Sequence, residues 1–214
     1  MNKRTILIGI CCLFSILLQA QTEHFKFMGI PLDGKISAFD RELKKKGFEL
    51  DNYSGKMLEG TYIYNGVFSG ETAQVFVNFD SGTKNVYQAT VIIKNYTRNS
   101  AIRKYEDFRD MLEKKYSQDE AVKFYRDFDA EHGEEMKKKG IKPFEWKHTA
   151  ERDGYESTIF IIPHLVDKDF KGTIEVFVSE TFSNITYSTD YNLFIKYSDW
   201  MNENLHRDNT MDDL

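Results

Sequence analysis

Cysteine is nearly absent from this chain of 214 residues: there are two, Cys11 and Cys12. Both lie inside an apolar run, Thr5 to Leu18, that follows Lys3 and Arg4 and ends at Gln19-Ala20. A positive segment, an apolar stretch and a small residue make the pattern of a secretory signal peptide over residues 1–20, with Ala20 the last residue removed. The run is about 14 residues, short of the roughly 20 that a spanning helix needs. Lipid attachment is disfavoured, because Ile10 precedes Cys11 and both cysteines sit mid-run. Removing residues 1–20 from the 214 leaves 194 and no cysteine. That excludes a disulfide, a thiolate nucleophile and a cysteine-ligated zinc from the mature chain.

Proline is also rare, with only Pro31, Pro143 and Pro163, and no Gly/Ser-rich linker divides the chain. Residues 23–206 therefore read as one α+β domain, followed by a polar, acidic tail over 207–214 that is expected to be flexible. No second apolar run reaches spanning length. Positive charge is short as well: without Lys3 and Arg4, 27 basic residues face 34 acidic ones, a net −7. That balance argues against nucleic acid and against anionic lipid as generic partners.

What the chain does have is clear periodicity. Ile36, Phe39 and Leu43 recur at helical spacing. Ser37 and Asp40 match a capping box at the start of that helix. Lys44, Lys45 and Lys46 suit its negative end, and Gly47 suits the left-handed stop. Strands follow: Ala73, Val75, Val77 and Phe79 alternate with polar residues, as do Tyr87, Ala89, Val91 and Ile93. The segment KMLEGTYIYNGVF reads as a strand before them, and Asp80-Ser-Gly82 as a hairpin turn. Ile102, Tyr105, Phe108, Leu112 and Tyr116 form one helical stripe behind a cap at Asn99 or Ser100. Residues 117–142 are charged and ambiguous, with a helix over 131–139 closed by Gly140. Strands return with Ile174, Val176 and Val178, then Tyr191, Leu193, Ile195 and Tyr197, and DWMNENL closes as a short helix. Period-two patterns with one wet face imply an antiparallel sheet of about six to eight strands, with helices packed on one face. ELKKKGF (42–48) and EMKKKGI (135–141) echo each other. They fit either two helix-plus-meander halves or two helices that stop alike.

Chemistry-bearing motifs are few. His132 and Glu135 would share a helix face and could share a metal, but a catalytic zinc needs a third ligand and no H-E-x-x-H exists. Asp127, Asp129 and Glu131 begin like a calcium loop but place His132 at the sixth position and Lys138 at the twelfth. Asp167 and Asp169 have Gly172 at the sixth and Val178 at the twelfth, so both fail the EF-hand rule. No G-x-S-x-G, Walker A or G-x-G-x-x-G occurs. The Gly29–Gly34 loop leads into a helix N-terminus, a generic anion site, but Pro31 removes one N–H, so a structural turn is expected there. Aromatic residues are plentiful, with 12 Tyr, 17 Phe and 2 Trp. Tyr62 and Tyr64 on one strand face with Leu58, and Trp146 and Trp200 near element ends, are the candidates for an exposed binding surface. The competing reading is that they fill the core. No catalytic, cofactor-binding or metal residue is assigned.

The opening FMGIPLDG, the helix ending KKKGF, the strand pair GVFSGETAQVFV (66–77), LEKKYS (112–117) and IKYSDWMN (195–202) occur in order. Together they resemble a family of uncharacterised exported α+β proteins of Gram-negative gut anaerobes, with the pattern F-x-G-I-P-x-x-G … K-G-F … K-K-Y … I-x-Y-x-D-x-x-N. Ser117, where that pattern has Gly, departs from it. The resemblance implies an exported α+β domain, similar in architecture to the tandem helix-plus-sheet β-lactamase inhibitor proteins, and carries no catalytic residues. The expected function is a non-enzymatic periplasmic or secreted binding module, facing a protein or cell-envelope partner with one sheet face or its rim. The alternatives are an envelope glycan or peptide hydrolase using paired carboxylates, and a small-ligand carrier.

Overall fold

The computed structural model describes residues 24–53, 58–95, 97–152, 154–165, 170–183 and 188–211. The expected signal peptide, Asp167 and Asp169 lie outside the described residues. The chain runs β1 (Lys26–Phe27), β2 (Ile30–Pro31), α1 (Ile36–Lys45), β3 (Glu49–Leu50), β4 (Thr61–Phe68), β5 (Glu71–Phe79) and β6 (Val86–Asn95). Then come α2 (Arg98–Tyr116), α3 (Glu120–Lys138), β7 (Lys147–Arg152), β8 (Tyr155–Pro163), β9 (Phe170–Ser183), β10 (Ser188–Asp199) and α4 (Trp200–Met211).

Strands β3 to β10 form one antiparallel sheet in the order β3-β4-β5-β6-β10-β9-β8-β7. The two meanders β3–β6 and β7–β10 therefore meet through their last strands, with Ile195 beside Val91 at the seam. Each meander follows a helix, α1 or α3. The echoed segments end those helices in the same way. Phe48 N–H bonds Leu43 O at 3.2 Å and Ile141 N–H bonds Met136 O at 2.9 Å, with Gly47 (φ 86°) and Gly140 (φ 76°) in the left-handed position between. Both are Schellman stops, which need a residue without a Cβ penalty at C′.

One sheet face carries the core. Ala73, Val75, Val77, Val91, Ile93, Val176, Ile174, Leu193 and Ile195 are buried there, and the helical stripe of Tyr105, Phe108, Leu112 and Tyr116 packs over them. Ile102 of the expected stripe is only half-buried, and Ala101 takes its place in the core. The N-terminal hairpin turns on two residues, Met28 (φ 51°) and Gly29 (φ 80°), the left-handed pair that a tight β-turn requires. It places Phe27 at the centre of an aromatic cluster, with ring centroids 6.5 Å from Phe39, 5.9 Å from Phe68 and 5.2 Å from Tyr197. Pro163 ends β8 at a register shift, where a missing N–H costs the ladder least.

Several local expectations are corrected. The capping box does not form: α1 is capped at Lys35 with no side-chain hydrogen bond. Ile36 N–H instead reaches Lys84 O of the neighbouring loop at 2.9 Å. This frees Asp40 to accept from Tyr64 Oη at 3.1 Å and from Lys44 Nζ at 2.9 Å. The cap of α2 is Thr97, whose Oγ1 accepts Ser100 N–H, so Asn99 and Ser100 lie inside the helix. Helix α3 begins at Glu120, well before 131, because Asp119 accepts the N–H groups of Ala121 and Val122 and both residues are buried. The strand expected from Lys56 begins at Thr61. The helix expected to stop near Leu205 runs to Met211 and so takes in part of the segment assigned to a flexible tail.

Asp199 joins the two ends of the fold. Its side chain is 1% exposed; Oδ2 accepts Phe25 N–H at 2.9 Å and meets His24 Nδ1 at 3.1 Å, while Oδ1 accepts Asn202 N–H at 3.0 Å as the cap of α4. Gly172 lies opposite Asp199 in the ladder, where an added Cβ would meet Ser198 O at 2.2 Å. Close backbone approach therefore explains this glycine, which stands at the sixth position of a calcium-loop pattern that the sequence does not complete. Asp199→Ala removes a helix cap, worth about 1 kcal/mol, and leaves a buried Phe25 N–H unpaired, worth about 1–3 kcal/mol. The expected result is a melting midpoint lower by about 5–12 °C for a domain of this size, read by calorimetry; a midpoint within 2 °C of the parent would refute the role.

The β5–β6 connection spans Asp80 to Asn85, longer than the three-residue turn expected, and Asp80 organises it. Asp80 Oδ1 accepts Thr83 N–H at 2.5 Å and Oδ2 meets His206 Nδ1 at 3.1 Å. The backbone N–H and hydroxyl of Thr83 hold this carboxyl well below the usual carboxylate range, with His206 adding to the effect. A depressed acid stabilises the fold fully above its unfolded value of about 3.9 and loses that contribution as pH falls through its folded value. The urea midpoints of the parent and Asp80→Asn should differ most above about pH 5 and converge as pH drops below about 4. A gap that is constant from pH 7 to pH 3 would show that the charge is irrelevant.

Candidate functional site

Period two along each strand leaves a second sheet face, and its register decides what stands together there. Asn65, Gln74, Ile92, Phe194, Phe177 and Ser157 form one row across β4, β5, β6, β10, β9 and β8. The next row holds Phe76, Thr90, Lys196, Glu175 and Ile159, and a third holds Thr61, Asn78, Gln88, Ser198, Thr173 and Ile161. Helices α1, α2 and α3 pack on the opposite face, and α4 crosses one end of the sheet, with Trp200 against Phe170 and His206 stacked on Tyr87. Among the described helices, none lies across these rows.

Of the 17 residues in these rows six are apolar, nine carry an amide or a hydroxyl, and two, Lys196 and Glu175, are charged. Phe177 and Phe194 stack at 5.0 Å with planes 5° apart, and they, Phe76, Ile92, Ile159 and Ile161 are all half-buried. Beside them runs a ladder of side-chain hydrogen bonds: Thr61 Oγ1 donates to Asn78 Oδ1 at 2.9 Å, Asn78 Nδ2 to Gln88 Oε1 at 2.7 Å, and Gln88 Nε2 to Ser198 Oγ at 3.2 Å. Gln74 Nε2 donates to Asn65 Oδ1 at 3.1 Å. Such cross-strand pairs tie neighbouring strands together on this face. A depression of about 410 Å³ opens at one side, bordered by Asn65, Glu71, Thr72, Gln74, Ile92 and Lys94. Opposite Lys94 stands Asn192, which is 6% exposed; its Nδ2 donates to Thr181, and its Oδ1 has no hydrogen-bond partner among the described residues.

Two smaller recesses lie elsewhere. One, of about 290 Å³, sits between the start of α2 and β8, where the Arg98 guanidinium lies 5.1 Å over the Tyr155 ring and Tyr155 Oη donates to Glu180. Glu106 and Glu156 border it, both exposed, with Glu156 facing Arg109 at 3.7 Å. The other, of about 270 Å³, is bordered by His24, Lys26, Lys115, Tyr116, Asp119 and Lys171. Burial, with the Asp119 charge behind it, pushes the Tyr116 hydroxyl up to about 12.

The aromatic residues singled out in the sequence fall mainly inside. Tyr64 is fully buried, and burial together with the Asp40 carboxylate raises its hydroxyl far above the normal tyrosine value. Tyr62 packs edge-on against Phe79 at 5.0 Å, and Trp146 lies partly buried against the core. Leu58 lies outside the strand and is exposed, and Trp200 is exposed where it meets Phe170. His132 packs on Phe128 while Glu135 pairs with Lys139 at 2.5 Å, so the two do not converge. Asp129 accepts Phe144 N–H at 2.8 Å, while Asp127 faces Arg126 and Glu131 faces His132. Among the described residues no three His, Cys, Asp or Glu are grouped as a metal site. In the Gly29–Gly34 loop, Gly34 O accepts Val86 N–H at 2.9 Å, and the helix it enters has already given its Ile36 N–H to Lys84 O. Sequence reasoning missed Phe177, Phe194, Ile92 and Gln74, because they sit at the intervening positions of strands whose other face reads as core.

Compared with protein-family models, curated proteins and solved structures, the chain matches none.

Proposed function

We propose that this protein is an exported, non-enzymatic binding module that holds a protein or cell-envelope partner on the uncovered face of its eight-stranded sheet. The observation that carries the reading is the row Ile92–Phe194–Phe177, half-buried apolar surface spread over three adjacent strands with none of the described helices across it. Apolar area kept on a sheet face, rimmed by polar groups, is the usual mark of an interaction surface. The leader-like pattern of residues 1–20 supports export.

A carboxylate hydrolase is the weaker reading. Glu106 and Glu156 border a recess, but both are exposed, and neither has the apolar setting that separates an acid from a base. The three recesses described above, of about 270–410 Å³, open to solvent, whereas a carrier site encloses its ligand.

The test is capture from the organism's own envelope extract, with immobilised residues 21–214 as bait beside Ile92→Asp/Phe194→Asp bait. A component retained by the first and lost from the second supports the reading. Retention that ignores the substitutions, or turnover of a glycan or peptide panel with nothing retained, refutes it.

A further inference from the structure

We propose that the recess between β1, the end of α2 and the start of β9 binds a phosphate group, either as the free ion or as the phosphoryl group of a sugar phosphate. This goes beyond the binding module proposed above, because the recess shares no residue with the rows of the uncovered sheet face. Three observations lead there. First, positive charge gathers here in a chain that has more acid than base. Lys26, Lys115 and Lys171 border the recess with His24, and Asp119 is the carboxylate that borders it. Asp119 Oδ1 already accepts the N–H groups of Ala121 and Val122, at 3.0 and 3.3 Å. The imidazole of His24 has its own carboxylates, Asp199 at 3.1 Å from Nδ1 and Asp33 at 3.8 Å from Nε2. Lys26 and Lys171 keep other contacts as well, so they add charge to the rim. Lys115 supplies the bond: its Nζ lies 4.9 Å over the Tyr116 ring and makes no ion pair among the described residues.

Second, a hydrogen-bond donor is left over in the wall of the recess. Tyr116 is only 9% exposed, yet its hydroxyl makes no hydrogen bond among the described residues. The Phe25 ring, 6.2 Å away, packs against it from within the core and holds it in place. Burial keeps the phenol protonated up to about 12, so at neutral pH it presents an O–H to the recess. A buried hydroxyl without a partner has lost its bond to water, and a ligand oxygen beside it restores one.

Third, the donors suit a phosphate better than a carboxylate. A flat carboxylate is matched by the planar fork of arginine, and no arginine borders this recess. Lysine ammoniums are compact point charges whose three N–H groups rotate to meet oxygens arranged around a tetrahedral centre. At about 270 Å³ the recess lies at the small end of ligand sites, with room for a phosphate and one attached sugar.

The experiment is calorimetric titration of residues 21–214 with inorganic phosphate, glucose 1-phosphate and succinate at low ionic strength, repeated on Tyr116→Phe and on Lys115→Met. Tyr116→Phe deletes a hydroxyl that bonds nothing within the described fold, and Lys115 is exposed, so both variants keep their structure. The expected result is saturable binding of at least one phosphate compound, weakened about tenfold by each substitution, as the loss of one hydrogen bond to a charged ligand predicts. Tighter binding of glucose 1-phosphate assigns the site to a sugar phosphate, and tighter binding of inorganic phosphate assigns it to the free ion. Binding of neither, binding that either substitution leaves unchanged, or binding of succinate as tight as that of phosphate overturns the assignment. Failure here is distinct from failure of the sheet face: Ile92→Asp/Phe194→Asp, which abolishes extract capture, should bind phosphate as the parent does.

Discussion

Replacing Phe27 by alanine is expected to lower the unfolding free energy by about 3–5 kcal/mol, the usual range for a fully buried phenylalanine. Phe27 has no exposed surface and touches three aromatic rings from three different elements: Phe39 of α1, Phe68 of β4 and Tyr197 of β10. A cavity at that point cannot be filled by a small local shift, because each neighbour is held by its own element. Phe27 also anchors a hairpin of only two-residue strands, whose register is otherwise set by the pairs Lys26–Pro31 and Phe27–Ile30. Losing the ring therefore loosens the attachment of the chain start as well as the core. Urea unfolding should show a lower midpoint with an unchanged slope, the sign of a stability change without loss of cooperativity. A cost below about 1 kcal/mol would mean that the aromatic cluster is dispensable.

The double substitution Ile92→Asp/Phe194→Asp should weaken partner capture by at least thirtyfold. Two adjacent half-buried apolar side chains become carboxylates, so a partner must desolvate charge where it had buried hydrocarbon. A central interface residue is commonly worth 2 kcal/mol or more, and each 1.4 kcal/mol is a factor of ten. The fold should survive, because the strands keep their core through the opposite parity: Val91, Ile93, Leu193 and Ile195 remain buried on the helix side. A melting midpoint within several degrees of the parent, measured alongside capture, separates lost binding from lost structure. Capture within threefold of the parent by a folded double variant would end the case for this face.

Much of the architecture was legible because its signals are local. The spacing of Ile36, Phe39 and Leu43 marks a helix whatever surrounds it, and Gly47 and Gly140 stop their helices through contacts within six residues. Alternation at Ala73–Phe79 and Tyr191–Tyr197 marks strands with one buried face. The charged composition over 117–142 hid the start of α3, because only two buried residues, Ala121 and Val122, signal its first turn. The capping box failed for a different reason. A carbonyl from Lys84, distant in sequence, reached the helix start first.

The candidate site was scarcely legible. Phe177 and Phe194 are single apolar residues among the polar outward positions Thr173, Glu175 and Ser179 or Asn192, Lys196 and Ser198, so nothing local says that they would stand together. Their stacking depends on β9 and β10 pairing in one register, and Ile92 joins them only because the two meanders meet at β6 and β10. Tyr62 and Tyr64 looked equally suited to a surface and proved to face inward, since Tyr64 stands beside Val75 on the core side.

The sequence by itself determined an α+β chain with helices and strands near their observed places, because glycine stops and hydrophobic period act over a few residues. Only the tertiary structure decided the strand order, the tie from Asp199 to Phe25 across 174 positions, and the row of Gln74, Ile92, Phe194 and Phe177. Those depend on which distant segments pair, and that choice is made by the packing energy of the whole core rather than by any one stretch of it.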